Sequence, residues 1–166
     1  MSDVFDPADP GWDLPGAVLR EMTASETDID DFGHANNAAY LRWADETAWA
    51  HWESDGLTRK DCQDQDRGMA ILRTEADYSG HVRAGERLVC AVWIPVSDGR
   101  LRAERWYQFR RASNGETVFR ARTKLVCFQL STGRPARMTS PFAEHYARPD
   151  AALAEAAAAL AAHGRD

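Results

Sequence analysis

A chain of 166 residues is long enough to bury one real core, and its formal net charge of -6 argues against a general nucleic-acid binder. No apolar run is long enough to cross a bilayer, and residues 1–6 lack the basic and apolar regions of a secretory leader. Cys62, Cys90 and Cys127 are odd in number and widely spaced, so they read as reduced thiols of a cytoplasmic protein rather than a disulfide or metal framework.

Residues 1–16 are rich in Asp, Pro and Gly, offer little to bury and read as a flexible lead. Residues 17–24 suit a short first strand. A helix is expected over residues 36–55, because Leu41, Ala44, Ala48 and Trp52 recur at helical spacing. Asn36 suits its N-cap and Gly56 its stop. Residues 57–67 are polar and read as irregular. Ala70, Leu72, Thr74, Ala76 and Tyr78 then alternate with more polar neighbours, as in a half-buried strand. In the next strand Leu88, Cys90, Val92, Ile94 and Val96 line one face. Val89, Ala91 and Trp93 make the other face apolar too, which suits a central strand or one covered by a partner subunit. Ser97-Asp98-Gly99 and Asn114-Gly115 are hairpin turns on either side of a strand over residues 100–112. The last strand, over residues 116–130, sets Phe119, Ala121, Thr123, Leu125 and Cys127 on one face and Arg120, Arg122 and Lys124 on the other. From residue 149 an Ala-rich helix is expected, capped by Asp150 and stopped at Gly164. Leu153 and Leu160 are all it has to bury, so loose docking or none is expected. One long helix followed by a meander of antiparallel strands makes an α+β domain with the sheet curved around the helix.

The turn between Asp28 and Tyr40 carries the chemistry. It gathers carboxylates, an imidazole and two carboxamides where the chain enters a helix, whose first N–H groups have no intrahelical partner. Such a set suits a polarised carbonyl: a carboxylate of the turn can activate water or attack directly, and a backbone amide can hold the developing oxyanion. The plainer readings are that Asp30 satisfies local amides, His34 is structural and Asn36 is an N-cap. Asp28 and Asp31 read as loop carboxylates, and Asp45 and Glu46 as solvent-facing or salt-bridged groups. Trp43 and Trp49 read as core, or as walls of a ligand pocket. No cluster shows metal-ligand spacing. Ten Arg and Lys residues between Arg100 and Arg137 concentrate positive charge in the last third. They form a solvated sheet face or, at some positions, phosphate contacts, with Arg134 in the Gly-Arg-Pro turn the first choice.

The pattern Asp-x-Asp-x-x-Gly-His-x-Asn-Asn-x-x-Tyr is met by Asp28, Asp30, Gly33, His34, Asn36, Asn37 and Tyr40. Asp77-Tyr78, Gly85-Glu86 and Thr132-Gly133-Arg134-Pro135 support it. Together they resemble the hotdog-fold acyl-CoA thioesterases of the 4-hydroxybenzoyl-CoA thioesterase-like family. The resemblance makes residues 17–142 the hotdog domain, with 1–16 as lead and 143–166 as helical tail. It implies about five antiparallel strands wrapped around one long central helix, hydrolysis of an acyl-CoA or acyl-carrier-protein thioester, and no cofactor or metal. It also implies a homodimer, such dimers commonly pairing into homotetramers, with no membrane or nucleic-acid partner. Asp30 becomes the catalytic carboxylate, the Asn37 amide the carbonyl polariser and His34 a second catalytic group. Gly33, Asn36, Tyr40 and Arg134 are expected around the substrate. A non-catalytic acyl-CoA-binding protein of the same fold is the alternative. An enoyl-thioester hydratase or dehydratase is disfavoured: Asp30 precedes His34 by four residues rather than five, and Phe32 and Gly33 stand where that class has Asn and Pro.

Overall fold

A computed structural model of the chain describes residues 3–163. In chain order the elements are β1 (Val18–Thr23), α1 (Asn37–Ser54), α2 (Arg59–Asp64), β2 (Arg67–Tyr78) and β3 (Arg87–Ser97). They continue with β4 (Arg102–Arg111), β5 (Thr117–Gln129), α3 (Phe142–His145) and α4 (Ala151–Ala162). The strands form one antiparallel sheet in the order β1-β3-β4-β5-β2. Of the expected four-strand meander, β3, β4 and β5 follow one another in the sheet, whereas β2 lies beyond β5 at one edge; β1 is the other edge. β1 pairs with β3 so that Val18 faces Val92 and Thr23 faces Arg87. Among the described residues no helix is long and apolar enough to cross a membrane.

The residues gather into two compact units. The first holds the chain up to His51 with Ala76–Trp93 and Tyr107–Ala121. Its core joins Ala39, Tyr40, Trp43 and Ala44 of α1 to Leu88, Cys90 and Val92 of β3, Tyr107 and Phe109 of β4, and Phe119 and Ala121 of β5. These strand positions alternate, as one inward sheet face requires. Phe109 and Phe119 are fully buried, which contributes roughly 1.5–3 kcal/mol each. Ala44, Ala48 and Trp52 of the expected α1 stripe are buried, but the stripe begins with Tyr40 and Trp43 rather than with Leu41, which is 43% exposed. A 3.6-residue period fits either starting point, and the larger Tyr and Trp surfaces decide between them. The Cys90 thiol is buried beside Thr47, and burial pushes its pKa up to about 12, so it remains a protonated packing group.

Residues 3–16, expected as part of a flexible lead, bury far more than their composition suggests: Val4, Trp12 and Leu14 are all core residues. Polar fit holds them. Asp9 and Arg110 form a buried ion pair at 3.0 Å, and the Arg110 guanidinium stands 4.7 Å over the Trp12 ring. Gln108 accepts from Asp13 N–H and donates to Gly11 O, while Arg120 grips both Asp13 oxygens at 2.6 and 2.9 Å. A Cβ at Gly11 would lie 2.3 Å from Arg110 Nη2, so a larger residue there would displace the guanidinium. The lead thereby covers the second apolar face of β3, with Trp12 meeting Trp93 edge-on at 6.3 Å. Composition hid this because the partners of Asp9 and Asp13 lie about a hundred residues away.

The second unit holds Trp52–Glu75, Ile94–Trp106 and the chain from Arg122 onward. Residues 57–67, expected to be irregular, contain α2. Thr58 and Asp61 close a capping box, with Asp61 Oδ2 accepting from Thr58 N–H at 2.7 Å and Thr58 Oγ1 at 2.8 Å. Asp150 caps α4 as expected, accepting from Leu153 N–H at 2.9 Å. The expected stop at Gly164 lies outside the described residues. The tail helix is docked, with Ala157 buried and Leu153 and Leu160 half-buried. Ala154, Ala158 and Ala161 join Val96, Trp106 and Arg122 around a groove of about 320 Å³. The Arg122 guanidinium lies 3.8 Å over Trp106, whose indole donates to Glu104 at 3.0 Å.

Candidate active site

The turn before α1 is a tight loop. Ile29 and Ala35 bridge across its base, and Asp28 O accepts from Asn36 N–H at 2.8 Å. At its tip Asp30 N–H donates to His34 O at 2.9 Å and Gly33 N–H donates to Asp30 O at 3.0 Å. Gly33 has a φ of 78°, a conformation that side-chain-bearing residues rarely adopt. Its role is therefore to let the loop close, which brings Asp30 and His34 opposite each other. Asp28 is committed: its Oδ2 accepts from Ser25 and its Oδ1 pairs with Arg42, which also approaches Glu46 at 3.7 Å.

A cleft of about 430 Å³ opens beside this loop, lined by Asp30, His34, Asn37, Tyr40, Tyr78 and His81 among others. The two carboxylate oxygens of Asp30 have different surroundings. Its Oδ1 accepts from Phe32 N–H at 2.9 Å, which steadies the turn, while Oδ2 takes no bond from a described residue. Asn36 acts as the N-cap: its Oδ1 accepts from Ala38 N–H and its carbonyl from Ala39 N–H, both at 2.8 Å. Among the described residues the Asn37 N–H has no acceptor, which leaves it the one unspent donor of the first three helical residues. The positive end of the helix dipole adds to it.

Tyr40 lines the cleft, but its hydroxyl donates to Gly80 O at 3.1 Å, and burial raises its pKa, so it remains a donor tied to the loop. Tyr78 reaches Asn37 O with its hydroxyl at 3.4 Å and meets the Tyr40 ring edge-on at 5.3 Å. Of the residues expected at the site, Asp30, His34, Asn37 and Tyr40 are brought together. Gly33 and Asn36 shape the backbone around them. Arg134 is not among the lining residues; it lies exposed in the turn after β5, in the second unit. His81 was missed. It sits in residues 79–82, which have no periodicity, and its one signal was an isolated His between a strand and a glycine turn. Among the described residues, Asp30, His34 and His81 do not bring ligand atoms close enough to share a metal ion.

The Arg residues of the last third are mostly engaged. Arg110 and Arg120 bind the lead, Arg111 pairs with Glu86 and with Glu116, and Arg105 contacts Tyr146. Asp45 is exposed, and Glu46 pairs with Arg20 at 2.7 Å.

Among solved structures, a 1,4-dihydroxy-2-naphthoyl-CoA thioesterase from Synechocystis matches with a TM-score of 0.71 and 20% identity, over 79% of this chain and 96% of that one. A DHNA-CoA thioesterase from Staphylococcus aureus matches with a TM-score of 0.71 and 19% identity, over 90% of this chain and 96% of that one. A Staphylococcus aureus protein in complex with CoA matches with a TM-score of 0.71 and 16% identity, over 82% and 89%. Likeness at these identities shows the shared fold. No curated protein matches the chain. A family model described as the thioesterase-like superfamily matches residues 25–146, which include the turn, the cleft and four of the five strands. The chain therefore belongs to the thioesterase-like superfamily and has the hotdog fold.

Proposed function

We propose that the protein hydrolyses acyl-CoA thioesters to a free acid and coenzyme A, with Asp30 as general base or nucleophile and the Asn37 N–H as oxyanion donor. One observation supports the reading: Asp30 and Asn37 line a single cleft, and among the described residues Asp30 Oδ2 and the Asn37 N–H have no partner. In the base route Asp30 takes a proton from water as its oxygen bonds to the acyl carbon. The oxyanion then collapses, the C–S bond breaks with its electron pair going to sulfur, and the Asp30 proton passes to the thiolate. In the nucleophile route Asp30 oxygen displaces the thiolate to give a mixed anhydride, which water then opens. His34 orients the water or the carbonyl. Arg134 is assigned to coenzyme phosphate as an exposed point of positive charge.

The working form is assigned as a homodimer. The edge strand β2 leaves Ile71 and Leu72 61% and 54% exposed, an apolar edge of the kind a second copy would cover. Phe32 at the loop tip is 87% exposed and supports the same assignment.

The test is thiol release by purified dimer over a panel of acyl-CoA esters. Aromatic acyl groups come first, after the two aromatic acyl-CoA thioesterases of like fold, followed by short, long and branched chains. Turnover of at least one ester is expected. Silence across the panel by a folded dimer would remove the assignment.

A further inference from the structure

We propose that His81 is a positioning residue of this site, acting through the imidazole of His34; the inference rests on the hydrolase reading above. The two rings stack with centroids 4.1 Å apart and planes 28° apart. Both line the cleft that holds Asp30 and the Asn37 amide.

The stack is delivered by backbone, not by chance contact of two mobile rings. Residues 79–82 form no helix or strand, yet their polar atoms are tied down on every side. Ser79 and Gly80 N–H donate to Val118 O at 3.1 and 3.2 Å, and the Tyr40 hydroxyl donates to Gly80 O at 3.1 Å. Arg111 Nη2 donates to His81 O at 2.5 Å, and Arg111 is itself held by Glu86 and Glu116. Val82 O accepts from Ala35 N–H at 2.7 Å, one residue beyond His34 on one strand of chain and one beyond His81 on the other. That bond sets the two imidazoles side by side.

The stack supplies what His34 otherwise lacks. Neither His34 ring nitrogen bonds to a described residue, and the terminal torsion of an imidazole has broad, shallow wells. Left alone, the ring would sweep its nitrogens through a wide arc over the cleft. A catalytic group has to be held within about 10–20° of its productive direction, and misplacement by an ångström costs on the order of 10²-fold in rate. Asp30 does not hold the ring, since Oδ1 accepts from Phe32 N–H and Oδ2 takes no bond from a described residue, and the Tyr40 hydroxyl donates to Gly80 O. The face of His81 fixes the plane of His34. Because His81 is exposed, its ring adds little to the core, so its loss should register in rate rather than in folding.

The experiment uses the intact protein and the acyl-CoA ester it turns over best, comparing His81→Ala, His81→Asn and His81→Phe. Ala and Asn are expected to lower kcat about tenfold with KM changed less than about twofold, because the lost element is alignment rather than binding. Phe retains a ring face and is expected to restore kcat to within about threefold of wild type. Melting temperatures should stay within about two degrees across the set. Wild-type kcat in His81→Ala overturns the proposal. So does an active Asn variant beside an inactive Phe variant, since a ring nitrogen and not the face would then be at work. An inactive wild type overturns the hydrolase reading and this one together, whereas an active wild type indifferent to all three changes overturns this one alone.

Discussion

At His145 an imidazole meets a carboxylate directly: Nδ1 lies 2.6 Å from Asp55, and the ring packs on Trp52 and Tyr146 with 1% of the side chain exposed. At His34 and Asp30 the same residue types are joined through backbone, Asp30 N–H to His34 O, and their side chains are left facing a cleft. The first arrangement satisfies itself and contributes to holding a fold together. The second leaves polar atoms for a third molecule to use. What separates a structural pair from a reactive one is thus which atoms the backbone geometry allows to meet, not which residues are present.

The sharpest way to break that contrast is to remove one carboxylate charge at a time. Asp30→Asn should lower kcat by about 10³-fold while leaving the melting temperature nearly unchanged, since the amide oxygen can still accept from Phe32 N–H. Asp55→Asn should leave kcat untouched. Equal losses in the two variants would erase the distinction. Next in size is His145→Ala, which empties a packed site beside Trp52 and Tyr146 and should cost roughly 2–3 kcal/mol in urea unfolding, with turnover per folded molecule unchanged.

A smaller effect concerns pH. Burial is the dominant influence on His145 and pushes its pKa below the ordinary value of 6.5; Asp55 pulls the other way, but it is 49% exposed and its field is screened. Below about pH 6.5 the unfolded chain therefore takes up a proton that the folded one resists. Stability should be constant from this source above that pH and fall as the pH drops toward the depressed folded value. In His145→Phe that slope should be shallower, which thermal melts at pH 7 and pH 5 would measure. Smallest of all, Arg134→Ala should raise KM a few-fold at unchanged kcat, and the rise should shrink as salt is added. A KM that stays constant would free Arg134 from any part in coenzyme binding.

Elements with a strong period were legible before any coordinates. The alternation in β3 and β5 and the turns at Gly99 and Gly115 placed the meander, and the residues from Asp28 to Tyr40 could be read as a site because they are contiguous. Local signals of equal quality were passed over. The Thr58 and Asp61 capping box announces α2, and Tyr40 and Trp43 outweigh Leu41 in choosing the inward face of α1. What could not be read was anything joined by distant chain. His81 reaches His34 only through the bond between Ala35 and Val82, and the lead finds its partners on β4 and β5.

That lead has a consequence for where the protein can be cut. Family likeness begins at residue 25, after both the lead and β1. A chain trimmed to the likeness would lose an edge strand, together with the Asp9 and Asp13 carboxylates that pair with Arg110 and Arg120, and would open that side of β4 and β5 to water. It would also bare Trp93 to water. The recognisable stretch and the self-sufficient stretch are different lengths of the same molecule, and the difference is written in the aspartates at positions 9 and 13.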